Sequence, residues 1–510
     1  MSDHTTPAVP PPVANFLTQD PGAVVLGPDT APGRVPQVAV HARDVASLRD
    51  LPCPQGLASR VIGLFLDEGA TAPALVARPE WPTLRSFRSR RARDGWWTVL
   101  RFAAAVDVEA VLGELAAQST WGVRRPAATD RPEATAPDVR VINPIGFRVD
   151  AEERVLDLSV LDLSGIGLSG IGLRGAVTPA VVRGLRDALG VRVDRWDDTT
   201  DRTVESLCLA GVPVVVDPAV DVPSSASVPA RLLGEADLAD PLAREERSLE
   251  QRRAAYDAVA VRAGTIQPSV SILLATKRAD MLDFALAQVA RQRDVASLEL
   301  VLAPHGFDVD PVRVRDAVGE QVSVAVVPQA ADTLFGDVLE AASRAAGGDV
   351  VLKMDDDDWY APDVVSDLLR ARGYSGAEMV GMPAELHYLT EQDLTVKRGH
   401  PTELYARFVA GGTMLVDRHA LRAVGGFRSV RKFVDAQLID SILAAGGAVY
   451  RTHGLGYVLR RNPSGHTWQV DLDYLLDPRR TVATWPGFHP SRLLEADVDH
   501  VPRPGGARNR

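Results

Sequence analysis

Apolar and polar positions fall into two regimes along the chain. Up to about residue 216, the short apolar runs RVIGLFLD (60–67) and WTVLRFAAAV (97–106) alternate with segments of helical spacing, DVEAVLGELAAQ (107–118) and AVTPAVVRGLRDALG (176–190). This alternation predicts an α/β arrangement. Beyond residue 268 the pattern is more regular. SVSILLAT (269–276) is one continuous apolar run, suited to a parallel strand buried on both faces. It is followed by helical MLDFALAQVARQ (281–292), strands LELVLA (298–303) and VSVAVVP (322–328), helix TLFGDVLEAASRAAG (333–347) and strand DVVLKM (349–354). Strands and helices in that order predict a doubly wound sheet whose ligand site lies at the C-terminal ends of its strands.

The segment between the regimes, DPAVDVPSSASVPA (217–230), carries three Pro and three Ser and reads as a linker. A charged helical stretch follows, LAREERSLEQRRAAYDAVAVRAG (242–264), ending at a glycine as helices often do. The expected organisation is a flexible arm (1–15), an N-terminal α/β domain (16–216), a linker and connecting helix (217–265), a doubly wound domain (266–490) and a C-terminal tail (491–510). The near-duplicate LSGIGL at 163–168 and 168–173 is too short to argue for a repeat architecture.

Composition narrows the classes. The chain has 510 residues, 46% hydrophobic, and a net charge of −11, with neither half basic, which argues against a broad electrostatic grip on nucleic acid. Of 56 basic residues only Lys277, Lys353, Lys397 and Lys432 are lysines. Cys53 and Cys208 lack CxxC spacing, so neither a disulfide framework nor a thiolate zinc site is expected. No apolar run reaches the roughly 18 residues of a membrane span. The N-terminus MSDHTTPAVPPPVANF has no basic region leading into an apolar core, as a signal peptide would. A cytoplasmic protein is expected, with peripheral contact at the inner face of the membrane left open.

Candidate chemistry concentrates at the end of DVVLKM, where Asp355, Asp356, Asp357 and Asp358 precede Trp359 and Tyr360. In extended geometry Asp355 and Asp357 share one side, Asp356 and Asp358 the other. So much negative charge calls for a cation, and carboxylate oxygens suit Mn²⁺ or Mg²⁺ holding a diphosphate. A solvated acidic loop at a helix N-terminus is the alternative.

The succession VSILLATKR (270–278), LELVLAPHG (298–306), AASRAAGGDVVLKMDDDDWYAPDVVSDLL (341–369) and GGTMLVDRHALRAVGGF (411–427), then an acidic residue opening a helix, resembles family 2 glycosyltransferases of the GT-A fold over about residues 265–475. The resemblance implies a GT-A type doubly wound mixed sheet and an inverting, metal-dependent sugar transfer from a nucleotide-sugar donor, a UDP-sugar by default. The acceptor would be a hydroxyl of a glycan or lipid-linked acceptor in cell-envelope polysaccharide or glycoconjugate assembly. It places Asp355 and Asp357 in a DxD motif, with Asp355 and Asp356 at the donor and Asp355, Asp357 and His466 as metal ligands. Thr276 matches the residue that contacts the nucleotide base, followed by Lys277 and Arg278, for which an ordinary basic loop is the competing reading. Asp435 has the spacing of the catalytic base, which would take the acceptor's proton. Asp440 is the fallback. Arg460 and Arg461 are candidate contacts for the donor diphosphate. Gly411, Gly412 and Thr413 are the expected acceptor loop, and Trp359 and Trp468 are flat faces for a sugar ring or parts of the core.

Two departures from the family pattern stand out. Val434 precedes Asp435 where many relatives carry Glu. Relatives have an Asp pair after the second strand, whereas here Ala303, Pro304, His305 and Gly306 follow, making His305 the candidate replacement for the base contact. Two further classes stay open: a degenerate GT-A protein serving as a glycan-binding or scaffold subunit, and a nucleotidyltransferase. ATKRADM has no glycine, which argues against the latter. ALGVRVDRWDDTTDRTVESLCLAGVPVVV (188–216) faintly resembles the end of a GT-B nucleotide domain, and a structural or acceptor-binding role is preferred for the N-terminal half.

Overall fold

The computed structural model describes residues 22–67, 84–92, 95–118, 152–158, 177, 182, 185, 188–262, 264, 266–462 and 472–496. The expected flexible arm, the LSGIGL repeat, His466 and Trp468 lie outside the described residues. The chain forms two compact units, one of residues 1–127, 418–428 and 433–448, the other of residues 128–417, 429–432 and 449–510. The described residues between 152 and 216 are counted with the second unit.

The first unit holds a five-stranded mixed sheet in the order β1-β2-β3-β5-β4. Its strands are β1 (Val24–Val25), β2 (Gly33–Ala42), β3 (Leu57–Asp67), β4 (Leu84–Ala92) and β5 (Gly95–Asp107). β1, β2 and β3 run parallel, while β5 runs antiparallel to β3 and β4. The apolar run at 60–67 alternates Ile62, Leu64 and Leu66 onto one face, where they pack against Val108, Val111, Leu112 and Leu115 of helix α1 (Val108–Gln118). Asp107 starts that helix by accepting the Ala110 N–H at 2.8 Å.

The second unit begins with a parallel three-stranded sheet, β6 (Glu152–Asp157), β7 (Ala188–Val193) and β8 (Val214–Val216), accompanied by α2 (Asp198–Leu209). The helical reading of 176–190 overran: Ala188, Leu189 and Gly190 already belong to β7, which lies buried beside β8. Its main sheet is mixed, in the order β11-β10-β9-β12-β18-β14-β19-β17. The strands are β9 (Val270–Thr276), β10 (Leu298–Pro304), β11 (Val322–Val326), β12 (Val350–Met354), β14 (Met379–Gly381), β17 (Leu404–Tyr405), β18 (Leu415–Asp417) and β19 (Val449–Arg451). A smaller sheet runs β13-β20-β15-β16-β21, from β13 (Trp359–Tyr360), β15 (Leu386–Leu389), β16 (Leu394–Arg398), β20 (Tyr457–Arg461) and β21 (Thr481–Pro486). From β9 the chain steps outward through α4 (Leu282–Ala290) to β10 and through α5 (Pro311–Val318) to β11, all parallel, then returns through α6 (Phe335–Ala345) to the far side of β9 as β12. The C-terminal ends of β9 and β12 therefore flank the point where strand order reverses, the ligand position of open α/β sheets.

The charged helix, α3 (Pro241–Arg262), is not a surface connector. Arg244, Glu245, Glu246, Ser248 and Gln251 are all buried. Burying such groups demands partners. Glu245 pairs with Lys397, Glu246 with Arg492 at 2.8 Å, and Arg252 with Glu403. Arg253 bridges Asp363, at 2.8 Å, and Asp367, both beside or on α7 (Val364–Ser375). Gln251 accepts the Val214 N–H at 2.9 Å and donates to Leu232 O at 2.7 Å, joining α3 to the three-stranded sheet. The Pro- and Ser-rich segment is likewise tied down: Ser227 N and Oγ both reach Asp201 at 3.0 Å, and Val228 is fully buried. The tail packs as far as Leu494, with Ser491 donating to Glu246 at 2.7 Å. After β18 the chain enters α8 (Arg418–Ala423) and α9 (Val434–Ala444), counted with the first unit, and Ala445 joins that unit's core.

Asp367 also accepts from His453 Nε2 at 3.0 Å, and although burial opposes its charge, Arg253 and His453 hold its carboxyl well below the usual range. Because the folded value is depressed, this stabilisation is complete above the unfolded-chain value near 4 and is lost as pH falls below it. Asp367→Asn leaves Arg253 with Asp363 alone and Arg370 with Asp257 alone, and is expected to cost about 1–3 kcal/mol at pH 7. Urea unfolding at pH 7 and pH 3 checks this, the difference between wild type and variant shrinking at the lower pH.

Candidate functional site

Every residue of β12 is buried, so the chain emerges from the core directly into Asp355–Asp358. Each carboxylate meets a different partner. Lys353, 3% exposed, places its ammonium 2.6 Å from Asp355 and 3.2 Å from the Gly411 carbonyl. Asp356 is gripped by the Arg278 guanidinium and by the Thr276 hydroxyl. Asp357 accepts from Arg278 Nη1 at 2.8 Å. Asp358 accepts the Tyr457 hydroxyl and, at 2.9 Å, the Arg460 N–H.

The electrostatics differ along the run. Burial pushes the Asp358 carboxyl up, helped by Asp357 and Asp355 and opposed by the bonds from Tyr457 and the Arg460 N–H. Burial also raises Asp356, outweighing the downward pull of Arg278. For Arg278 burial works against the charge, but the carboxylates of Asp356 and Asp357 more than offset it and hold the guanidinium above its usual value. Thr276 is occupied in the loop itself, accepting the Arg278 N–H at 3.0 Å.

The expected acceptor loop is welded to this edge. Tyr360 accepts the Asp355 N–H at 2.8 Å and donates its hydroxyl to the Gly412 carbonyl at 2.9 Å. Gly412 faces three groups at once. A Cβ there would stand 2.7 Å from Tyr360 Oη, 2.8 Å from Asp355 Oδ2 and 3.1 Å from Tyr457 Oη. Thr413 Oγ1 accepts the Met382 N–H at 2.9 Å, fixing the loop from behind.

His305 lies at the end of β10, next to β9, its N–H donating to Thr276 O at 2.8 Å. It is 4% exposed, and Nε2 has no hydrogen-bond partner among the described residues. Burial and then Lys277 lower its pKa, so the ring is neutral at pH 7. A buried ring nitrogen left open at the ligand edge can accept from, or donate to, a planar heterocycle. Lys277 is exposed, donating to Ala331 O at 3.2 Å.

Trp359 is elsewhere engaged. It is 5% exposed, with Arg460 Cζ 4.1 Å from its ring centroid and Phe488 at 4.5 Å, so its faces are covered. Arg460 also lies 4.5 Å over Phe284. Arg461 is half-buried, and its carbonyl accepts Thr390 Oγ1 at 2.9 Å. Asp435 lies in the first turn of α9, in the first unit. Asp358 and Tyr360, named in the sequence only with the acidic run, and Tyr457, not singled out there at all, complete the framework. Nothing in the spacing of two tyrosines nearly a hundred residues apart announces that both hydroxyls meet one glycine.

Asp355, with 34% of its side chain exposed, and Asp357 offer hard oxygen donors of the kind Mn²⁺ or Mg²⁺ accepts. Among the described residues no group of three or more His, Cys, Asp or Glu side chains converges on one metal position. Among the same residues no helix is long and apolar enough to cross a membrane.

No family model and no curated protein matches the chain. Among solved structures, the chain is similar to the mannosyltransferase PcManGT from Pyrobaculum calidifontis in complex with GDP-Man and Mn²⁺, at 17% identity and TM-score 0.32, covering 40% of this chain and 59% of that one. It is also similar to S. aureus TarS 1–349 in complex with UDP-GlcNAc, at 14% identity and TM-score 0.32, covering 41% and 64%. In both cases less than two thirds of the other chain's length is spanned.

Gly412→Ala tests the coupling of loop and carboxylate edge. The methyl group meets atoms already fixed by other bonds, so the variant is expected to lose about 1–3 kcal/mol, read as a lower urea midpoint. An unchanged midpoint would show that the loop is free of the Asp355 edge.

Proposed function

We propose that the second unit carries the donor site of an inverting glycosyltransferase, moving a sugar from a nucleotide-sugar to a hydroxyl of a glycan or lipid-linked acceptor in cell-envelope assembly. The observation that carries this is the convergence of Thr276, Arg278, His305 and Asp355–Asp357 where strand order reverses between β9 and β12. His305 presents a neutral imidazole to the base, with UDP the default nucleotide. Thr276 and Asp356 hold the loop that carries Arg278, and Arg278 is placed to exchange its grip on Asp357 for the donor's phosphates. Lys353 and Tyr360 keep Asp355 at a set distance from Gly411 and Gly412, the proposed acceptor loop.

Asp355 and Asp357 would hold Mn²⁺ or Mg²⁺, with His466 as the expected further ligand, and such an ion would offset the charge on the departing diphosphate. Asp435 is proposed as the base that accepts the acceptor's proton. The first unit is proposed to support or bind the acceptor. The protein would work in the cytoplasm or peripherally at the inner face of the membrane.

Hydrolysis of a panel of nucleotide sugars with Mn²⁺, compared with EDTA, tests the reading and identifies the donor. Turnover of one donor is expected, falling about 100-fold or more in Asp357→Ala and in Asp435→Asn while both variants keep the wild-type circular dichroism spectrum. Full activity in Asp357→Ala would overturn the assignment of the carboxylate edge, and absence of turnover with every donor would favour a scaffold subunit.

A further inference from the structure

A second cluster in the same unit carries the opposite charge. Arg398, the last residue of β16, is 3% exposed and makes no ion pair among the described residues, and its Nε and Nη2 are buried without a hydrogen-bond partner. Its guanidinium carbon lies 4.5 Å from the centroid of the Tyr474 ring. Arg480 approaches the same ring at 5.5 Å and donates from Nη1 to the Tyr474 hydroxyl at 3.2 Å. The backbones are joined as well, Gly399 N–H donating to Arg480 O at 2.8 Å. Arg451 reaches the same turn from β19, donating from Nε to Pro401 O at 2.7 Å.

Two histidines sit among these arginines. Burial, then Arg451, Arg398 and Arg480, hold His400 down at about 4. His387 is 1% exposed with Nδ1 unpartnered, and burial followed by Arg398 and His400 holds it down at about 3. Both rings are neutral at pH 7. Of the acidic groups nearby, Asp477 faces Arg480 but is ion-paired with Arg479 at 3.1 Å, and none pairs with Arg398 or Arg451 among the described residues. Glu385 is buried, with Oε2 unpartnered, and burial followed by Glu245 pushes its carboxyl up to about 8, so it is mostly protonated; Glu245 itself is paired with Lys397.

Several other buried arginines of this unit have carboxylates, Arg252 with Glu403, Arg253 with Asp363 and Asp367, Arg370 with Asp257, while Arg460, with Nε and Nη2 likewise unpartnered, lies against the Trp359 and Phe284 rings. A buried guanidinium with open N–H groups and no counter-charge is costly unless an anion completes it. Three guanidiniums ask for more than one negative charge, and their forked donors match tetrahedral phosphate oxygens. Arg480 and Tyr474 are exposed, so the cluster opens to solvent while Arg398 and His387 form its floor.

We propose that Arg398, Arg451 and Arg480, with His387 and His400, form an anion site for a phosphate or diphosphate group, built from residues other than those of the carboxylate edge. The site does not depend on the transferase reading. Isothermal titration of the full chain with inorganic pyrophosphate, at pH 7.5 and physiological salt, is expected to show saturable binding. Arg480→Ala, at an exposed position that leaves the core intact, should weaken it about tenfold, as should Arg398→Gln, whereas Arg231→Ala outside the cluster should not. Pyrophosphate binding that is absent, or equally strong in Arg480→Ala and Arg398→Gln as in wild type, overturns the proposal, including the case in which the anion binds at the carboxylate edge. A second arm uses glucose 1-phosphate and inorganic phosphate. Arginine-dependent binding tighter for the sugar phosphate assigns a ligand-borne phosphate, and equal binding assigns a free anion.

Discussion

Neutralising four consecutive carboxylates at the mouth of a fully buried strand is the constraint around which the second unit is organised. The strand up to Met354 is buried, so the charge has to be met by groups brought from elsewhere in the chain. The solutions come from four directions. Lys353 serves Asp355 from within β12, Arg278 serves Asp356 and Asp357 from the loop after β9, and Tyr457 and the Arg460 N–H serve Asp358 from β20. The fourth is burial itself, which pushes the Asp358 carboxyl up and so favours its uncharged form. Each solution fixes the relative position of two elements. The loop after β9, the Gly411–Thr413 turn and β20 all converge on β12 because its charges hold them there.

The same economy operates behind the sheet. Helix α3 brings a face of Arg, Glu and Gln into the interior, which apolar packing alone would not accommodate. Partners on α7, on β16 and in the C-terminal segment turn each charge into a directional tie. Such ties contribute little net stability when complete and much instability when one member is lost. They specify which elements meet. In that setting the arginines around Tyr474 stand apart from the carboxylate-paired ones, as does Arg460 over Trp359 and Phe284, since none of the described carboxylates pairs with Arg398.

How far the sequence was legible follows from the range of the interactions. The continuous apolar run 269–276, the strand ending in Asp355 and the helices between them are local patterns, and the parallel arrangement around β9 agrees with them. The helix at 242–264 was readable from its spacing, yet its burial was not. A charged face looks solvated until the partners far along the chain are known. The segment 217–230 has a linker's composition, but Asp201 and the core around Val228 hold it in place. Trp359 illustrates the reverse: its identity left open a platform for a sugar or a place in the core, and only packing showed it covered by Arg460 and Phe488.

By itself the sequence determined the period of each element, the succession of strands and helices from residue 269 onward, and the place where charge leaves the core. Those depend on residues within one turn or one strand of each other. Tertiary structure alone decided which aspartate is an ion pair and which has its carboxyl pushed up by burial, and that Gly412 admits no side chain. It also decided that His305 keeps an open nitrogen and that Arg398 is buried with no acid to pair it. A carboxylate's protonation and a guanidinium's need for a counter-ion are set by groups within a few ångströms in space. Here those groups come from positions as far apart as Thr276 and Asp356, Asp358 and Tyr457, and Arg398 and Tyr474.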